Sequence, residues 1–212
     1  MPHKSSALAA AAVLLLVTPT VVNGQSLRQR WGVAVSVAPR WRVPDYQKVF
    51  LDADSTDLNG TDLRVGLTKG RLFGGDVSVS FVRRTIADRP NALIKTDGTS
   101  VATRRDTLLG VAVQGFKPFV TIRQRAQIGA SFGVGVGRYR GTVLQTRPGD
   151  APEEVGAEAL FSFANGPVQF MPLGNLELTG AAVIGTHVKV KIGGGVSFPG
   201  QQLVNVGLTY FF

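Results

Sequence analysis

The chain has 212 residues, with 23 Lys and Arg against 14 Asp and Glu, a formal net charge of +9, 26 glycines and no cysteine. The lack of cysteine excludes disulfides, thiolate metal sites and acylation through cysteine. A basic chain is compatible with nucleic-acid binding, but no recognition motif for nucleic acid is present, and we expect the protein to be exported from the cytoplasm. We therefore expect no nucleic-acid partner.

The first 24 residues have the layout of a secretory signal peptide. Lys4 gives a basic start, residues 7–17 form an apolar run, and the polar residues 18–24 follow with Pro19 among them. The run is about half of the roughly 20 residues that a spanning helix needs. We therefore predict removal of residues 1–24 and a mature domain over 25–212, with a retained membrane anchor as the alternative.

Beyond residue 25, apolar residues recur with period two, and glycines lie inside the apolar segments rather than only in turns. No stretch is long and apolar enough for a transmembrane helix. Period-two alternation is typical of β-strands and indicates an all-β protein. The predicted strands are 31–41, 62–69, 76–84, 104–115, 123–140, 155–164, 176–192 and 203–212.

The predicted connections differ in length. Residues 42–61, 85–103, 141–154 and 193–202 are long and polar, 70–75 and 116–122 are short, and 165–175 is intermediate. Short periplasmic turns that alternate with long outer loops are typical of membrane β-barrels. Backbone polar groups in a bilayer must be satisfied internally, so a membrane-spanning sheet must close into a barrel.

Two tryptophans lie ten residues apart in the first predicted strand, Trp31 and Trp41. Strict alternation places them on one face, and a tilted strand of that length rises roughly 25 Å, the height of a lipid-facing band. Because indoles favour membrane interfaces, we predict that both are interfacial aromatics.

The C-terminus has the pattern polar–x–Gly–x–x–aromatic–x–aromatic, carried by Asn205, Gly207, Tyr210 and Phe212. It resembles the terminal signal that outer-membrane barrels present to the barrel-assembly machinery. With the strand count, the mature chain resembles the small OmpA/OmpX-type barrels. The resemblance implies a single antiparallel up-and-down transmembrane β-barrel of about eight strands, monomeric, in the outer membrane of a Gram-negative-type bacterium.

Arginines cluster at the predicted outer strand ends. Alternation puts Arg83, Arg105, Arg138 and Arg140 on the lipid side. Guanidinium groups near the interface can pair bidentately with phosphate. We expect this rim to bind anionic lipid head groups, including the phosphates of lipopolysaccharide; general snorkelling without a defined lipid site is the alternative.

The opposite face places Arg64, Asp106, Gln127, Glu158 and Glu177 in the lumen. An eight-stranded barrel is only wide enough for side chains to fill, and buried charges must be paired or hydrated. We therefore expect a polar plug, with a narrow small-solute channel as the alternative.

Other site chemistries have weak support. The acidic loop with Asp52, Asp54 and Asp57 departs from the EF-hand pattern, so we expect no metal site. His187 is the single histidine after residue 24, and local spacing brings no serine next to it, although Ser80 or Ser131 could approach from another strand. The sequence thus predicts a non-enzymatic barrel without a cofactor, with a structural or surface-interaction role; a soluble periplasmic ligand-binding barrel is a further alternative.

Overall fold

The computed structural model describes residues 28–104, 106–122, 125–160, 162–163, 166–167 and 170–212. The predicted signal peptide lies outside these residues. Two short 3₁₀ helices, Asp45–Leu51 and Ala157–Leu160, accompany the strands. The strands are β1 (Arg30–Arg42), β2 (Ala53–Thr56), β3 (Asn59–Gly70), β4 (Asp76–Ile86), β5 (Arg89–Lys95), β6 (Ser100–Thr103), β7 (Thr107–Ile122), β8 (Ala126–Arg140), β9 (Thr142–Thr146), β10 (Glu153–Gly156), β11 (Ser162–Phe163), β12 (Gly166–Pro167), β13 (Met171–Ile184), β14 (Val188–Phe198) and β15 (Gln201–Phe211).

Eight of these strands close into a barrel in the order β1-β15-β14-β13-β8-β7-β4-β3. Every neighbouring pair is antiparallel, and the first strand closes the wall by pairing with the last, from Gly32 opposite Phe211 to Arg42 opposite Gln201. The predicted all-β, up-and-down, eight-stranded barrel is confirmed.

The two faces of the wall follow the period-two pattern of the sequence. Most outward positions along the middle of the eight strands are apolar and exposed, while most inward positions there are small or polar. Examples of the outward set are Trp31, Val33 and Val35 on β1, Leu63, Val65 and Leu67 on β3, Val77, Val79 and Phe81 on β4, Val111 and Val113 on β7, Phe132 and Val134 on β8, Leu176 and Leu178 on β13, Ile192 and Val196 on β14, and Val206 and Leu208 on β15.

One end of the barrel, which we term the cap end, carries the connections 43–58, 87–106, 141–170 and 199–200. The first three contribute strands to a five-stranded sheet in the order β10-β9-β6-β5-β2, which we term the cap sheet. The opposite, turn end carries the short connections 71–75, 123–125 and 185–187 and both ends of the described chain. Among the described residues, no helix is long and apolar enough to cross a membrane.

The cap end is filled by a cluster of buried apolar side chains. Leu58, Leu93 and Val143 come from the connections and pack with Leu108 and Leu173, which point inward from the wall. This core closes the mouth of the barrel with the same packing that stabilises a soluble domain.

The predicted strand over 155–164 is wrong. Its first residues belong to β10 in the cap sheet, and the 3₁₀ helix Ala157–Leu160 follows. Ala157 and Leu160 are both fully buried in the apolar core. Their spacing of three residues matches one turn of a 3₁₀ helix.

The predicted strand over 176–192 is also wrong, because it merges β13 and β14. The chain reverses at Gly185, whose φ of 64° favours glycine. In consequence, the predicted loop over 193–202 is largely the end of β14, and the actual connection is the tight turn at Pro199 and Gly200. The predicted turn over 116–122 lies within β7.

Trp41 does not lie on the outward face, in contrast to the prediction. One extra residue interrupts β1 between Ala38, which pairs with Asp62, and Trp41, which pairs with Gly60. This β-bulge exposes Pro39 and Arg40 side by side, so every later residue changes face. Trp41 is 1% exposed and donates from Nε1 to the Pro199 carbonyl at 2.8 Å.

Candidate functional site

The outward rim at the cap end carries three of the four predicted rim arginines. Arg83 on β4 and Arg138 on β8 are exposed, and both lie opposite Leu109 of the intervening strand β7. Arg140 is exposed one step nearer the cap, opposite Thr107. Arg105 lies outside the described residues.

These arginines are available for an external ligand. Within the described part of the chain, Arg83, Arg138 and Arg140 make no ion pair with a carboxylate. Two strand spacings separate Arg83 from Arg138, which is about 10 Å. Unpaired guanidinium groups at this spacing form a positive surface next to the exposed apolar side chains of the barrel wall.

Inside the barrel, near the cap end, Asp62 lies between two arginines. Arg64 donates from Nε to one carboxylate oxygen at 3.1 Å, and Arg84 donates from Nη2 to the other at 2.7 Å. Gln202 adds a hydrogen bond to the same carboxylate at 3.0 Å. All four side chains are buried, so the cluster ties β3 and β4 to β15 without contact with bulk water.

Arg84 also anchors the tight turn between β14 and β15. Its Nη1 donates to the Pro199 carbonyl at 2.8 Å, and its guanidinium lies 4.5 Å from the centre of the Trp41 ring. Gln47 holds the same turn from the first 3₁₀ helix, since it donates to the carbonyl oxygens of Ser197 and Gly200 and accepts from the Gly200 amide. The turn is therefore fixed from two directions.

Near the turn end, Asp76 lies between two lysines. Lys189 is fully buried and donates to Asp76 at 3.1 Å and to the carbonyl oxygens of Arg71 and Gly74 at 2.8 and 2.9 Å. Lys191 donates to the other Asp76 oxygen. Sequence reasoning placed both lysines opposite the apolar face but did not single them out.

The middle of the lumen is polar and partly open. Glu177 accepts hydrogen bonds from Asn175 at 2.9 Å and from Asn205 at 3.0 Å. It borders a cavity of about 60 Å³ that also touches Arg64 and Lys191. That volume holds a few water molecules.

Among the other predicted lumen residues, Gln127 is buried inside the turn end. Asp106 is buried just before β7, where it accepts from the Arg104 amide at 3.3 Å. Burial raises the pKa of Asp106, and the backbone hydrogen bond only partly offsets that effect. Glu158 is misplaced by the prediction, because it lies in the 3₁₀ helix of the cap rather than on a wall strand.

Aromatic residues lie at the outward turn end. Trp31 is 53% exposed, with the Lys69 ammonium 5.4 Å from its ring centre. Tyr210 and Phe212 are exposed on the same face of the last strand region, whereas Asn205 and Gly207 point into the barrel. At the cap end, Tyr46, Phe50 and Phe170 are exposed in the connections between wall strands.

The described residues do not form the arrangements that catalysis at His187 or a metal site in the acidic loop would require. His187 lies exposed in the turn between β13 and β14, where its Nδ1 is 2.7 Å from the Thr186 hydroxyl, while Ser131 bonds Thr179 inside the lumen. In the acidic loop, Asp52 accepts from Thr96, and Asp57 pairs with Arg89. Across the described ranges, no group of three or more histidines and carboxylates is placed to hold a metal ion.

No family model matches the chain, and no curated protein matches it. Among solved structures, the chain is similar to the crystal structure of Neisserial surface protein A (NspA), with 11% sequence identity and a TM-score of 0.44. The alignment covers 86% of this chain and 97% of NspA.

Proposed function

We propose that the protein is an exported, non-enzymatic barrel of the outer membrane of a Gram-negative-type bacterium, with a structural or surface-interaction role. In this orientation the cap sheet faces the outside and the turn end faces the periplasm. The observation that carries the proposal is the belt of exposed apolar side chains around all eight strands.

The belt fits a bilayer and is unfavourable in water. Soluble monomers rarely expose contiguous apolar patches above a few hundred Å². The wall strands contain 11 to 16 residues, which meets or exceeds the roughly 9–11 residues that a tilted transmembrane strand needs. The exposed aromatic side chains at the turn end of the belt, Trp31, Tyr210 and Phe212, resemble an interfacial girdle of such barrels.

A surface role is favoured over conduction because the lumen is obstructed at both ends. Leu93, Val101 and Val143 are among the fully buried side chains that fill the cap end. Lys189 is held among backbone carbonyls and Asp76 near the turn end. The ligand-accessible parts of the molecule are then the cap and the outward rim.

The rim arginines support a role in contacting lipid. Arg at the bilayer midplane costs about 2–4 kcal/mol but close to zero near the interface. Arg83, Arg138 and Arg140 lie at the cap end of the belt, where the phosphates of lipopolysaccharide or other anionic lipids supply counter-charges. Arg105 is included in this rim on sequence grounds.

The C-terminal pattern supports recognition by the barrel-assembly machinery. Tyr210 and Phe212 are exposed on the outward face, where another protein can contact them before the barrel enters the membrane. Removal of residues 1–24 by signal peptidase and a monomeric mature barrel complete the proposal.

Cell fractionation and gel migration test the location. We expect the protein in the outer-membrane fraction, with faster migration on a gel before boiling than after it. Recovery in the periplasm without detergent would instead support a soluble barrel. Reproducible single-channel steps from correctly folded protein in a planar bilayer would overturn the non-conducting role.

The rim is tested by replacing Arg83, Arg105, Arg138 and Arg140 with Gln. We expect less lipopolysaccharide to co-purify with the barrel and a lower midpoint of thermal unfolding. Unchanged co-purification of lipopolysaccharide and unchanged stability would show that these arginines only extend toward the polar edge of the membrane and form no defined lipid site.

A further inference from the structure

The bulge in β1 changes which side chains reach the outside at the cap end. Strict alternation would direct Arg40 and Arg42 into the lumen and Trp41 outward. The extra residue reverses this arrangement: Pro39, Arg40 and Arg42 are exposed, and Trp41 is buried. Pro39 is suited to the bulge because it lacks the amide hydrogen that a regular ladder would use.

The bulge also opens a groove in the outer wall where β1 lies between β15 and β3. Its volume is about 250 Å³. Charged and apolar groups both border it. The lining residues are Pro39, Arg40, Trp41, Arg42, Asn59, Gly60 and Leu203.

The two arginines of the groove have no anionic partner. Arg40 and Arg42 make no ion pair or side-chain hydrogen bond among the described residues. Asp45, the acid that follows them in sequence, pairs with Lys48 at 3.2 Å. Residues two apart in a strand are about 7 Å apart, so both guanidinium groups can contact one tetrahedral anion.

The apolar side of the groove continues into the belt. Leu203 is 43% exposed and Val204 is 45% exposed, and Val204 pairs directly with Arg40 across the β1–β15 seam. A free inorganic anion would use the arginines and leave these side chains without a role. A lipid presents both an anionic phosphate and a hydrocarbon chain, and therefore matches both parts of the groove.

We propose that this groove binds one phosphorylated membrane lipid, with its phosphate between Arg40 and Arg42 and the first part of an acyl chain against Leu203 and Val204. The site rests on the proposed membrane location, but it is separate from the rim on β4 and β8. It is a defined pocket, whereas that rim is an open row of charges.

The site is tested with Arg40→Gln/Arg42→Gln in an uncharged maltoside detergent, by titration with phosphatidylglycerol and native mass spectrometry. The matched control is Arg89→Gln/Arg147→Gln, which removes the same charge from exposed positions in the cap. We expect wild type and control to retain one tightly bound phosphatidylglycerol. For the groove variant, we expect binding of phosphatidylglycerol to be at least about tenfold weaker.

Two further arms separate the lipid from other ligands. Leu203→Ser should weaken phosphatidylglycerol binding while both arginines remain, and phosphatidylcholine should bind less tightly than phosphatidylglycerol. Competition by millimolar inorganic phosphate in place of lipid would overturn the lipid assignment in favour of a simple anion site.

Failure of this site is distinguishable from failure of the membrane proposal. Equal lipid retention by the groove variant and the control, in protein that still fractionates with the outer membrane, overturns the groove alone. A wild-type protein that stays soluble without detergent overturns both. Gel migration before and after boiling verifies that each variant is folded.

Discussion

The barrel contains two buried clusters with the same formal composition, one carboxylate between two cations. Near the cap end, Asp62 is held by Arg64 and Arg84. Near the turn end, Asp76 is held by Lys189 and Lys191. They differ in the kind of cation and in their contact with water.

The arginine cluster is the more rigid and the more buried of the two, since its three side chains are at most 7% exposed, although Arg64 also borders the central cavity. Planar guanidinium groups fix two directions of approach to Asp62, and the apolar core lies above them. The lysine cluster uses flexible stems: Lys191 is 19% exposed and borders the central cavity, and Lys189 has two backbone carbonyls as further partners. The two clusters have the same net charge, but the arginine cluster holds its strands rigidly, whereas the lysine cluster can adjust its geometry.

The largest expected effect separates the two clusters directly. Asp62→Asn leaves two buried guanidinium groups without a counter-charge and should lower the free energy of unfolding by about 4 kcal/mol. Asp76→Asn should cost about half as much, because its lysines keep other partners. Urea unfolding followed by tryptophan fluorescence measures both losses.

The control for this pair is Asp57→Asn. Asp57 pairs with Arg89 at 3.5 Å, and both side chains are about half exposed or more. We expect a change below about 0.5 kcal/mol. Equal losses for Asp62→Asn and Asp76→Asn would remove the distinction between the clusters.

The next effect tests whether the apolar core keeps water from the arginine cluster. Leu93 is fully buried in that core, and Leu93→Ala should cost about 3 kcal/mol. The neighbouring Ile94 is 37% exposed, so Ile94→Ala is the control with a much smaller loss. In a double-mutant cycle, Asp62→Asn should cost less in the Leu93→Ala background. Additive losses would show that the core does not shield the cluster.

A smaller effect concerns the turn to which the arginine cluster is anchored. Gly200 has φ of 105°, and an added Cβ would lie 2.2 Å from Trp41 Nε1. Gly200→Ala should cost about 2 kcal/mol through backbone strain and overpacking. Gly149 has φ of 86° with nothing near its Cβ, so Gly149→Ala carries only the strain. The midpoint of unfolding measures the loss of stability in each variant. A similar loss for Gly200→Ala and Gly149→Ala would show that the contact with Trp41 is unimportant.

The smallest effect concerns Asp106, a buried acid near the cap. Burial raises its pKa, and the negative charge of the neighbouring Asp88 raises it further. Because burial raises the pKa of Asp106, the folded state binds a proton more readily than the unfolded state. Asp106 therefore destabilises the fold at neutral pH, and this penalty disappears as the pH falls through the raised value toward 3.8. Asp106→Asn should stabilise the protein at pH 7 and have little effect at pH 3.

Asp97 provides the control of opposite sign. Hydrogen bonding from Thr99 lowers the pKa of Asp97, so its contribution favours folding above the ordinary pKa and is lost as the pH falls. Asp97→Asn should therefore remove stability at pH 7. Unfolding curves at several pH values measure how each substitution changes the free energy of unfolding. If Asp106→Asn and Asp97→Asn changed it in the same direction at pH 7, the opposite roles of the two acids would be contradicted.

Alternation in the sequence predicted β-strands and the direction of most wall residues, whereas the loop lengths and the C-terminal pattern were also needed to predict a barrel. It placed Arg64, Gln127 and Glu177 inside because one face of each strand must avoid lipid or enter the core. It failed at Pro39, where one inserted residue reverses every later position of β1. The missing amide hydrogen of Pro39 was the available signal.

Other features depended on information that a local pattern lacks. Gly185 could have marked the turn between β13 and β14. By contrast, the cap sheet pairs Thr56 with Leu93 and Val101 with Gln145. These contacts join segments about 40 residues apart, and no periodicity within one segment specifies its distant partner. The lysine cluster likewise combines β4 with β14, which meet only when the barrel closes. Asp62 and Arg84, by contrast, are direct cross-strand partners on β3 and β4, and only their contacts with Gln202 and Pro199 depend on closure.

The pairing of β1 with β15 has a consequence for biogenesis. Until the final strand has been synthesised and docked, both edges of the sheet expose unpaired amide and carbonyl groups, each costing several kcal/mol in hydrocarbon. A nascent chain that stops before Gln201 lacks the strand that seals the wall. In the membrane location proposed above, the complete chain would therefore be required before the barrel could reside in a bilayer unaided.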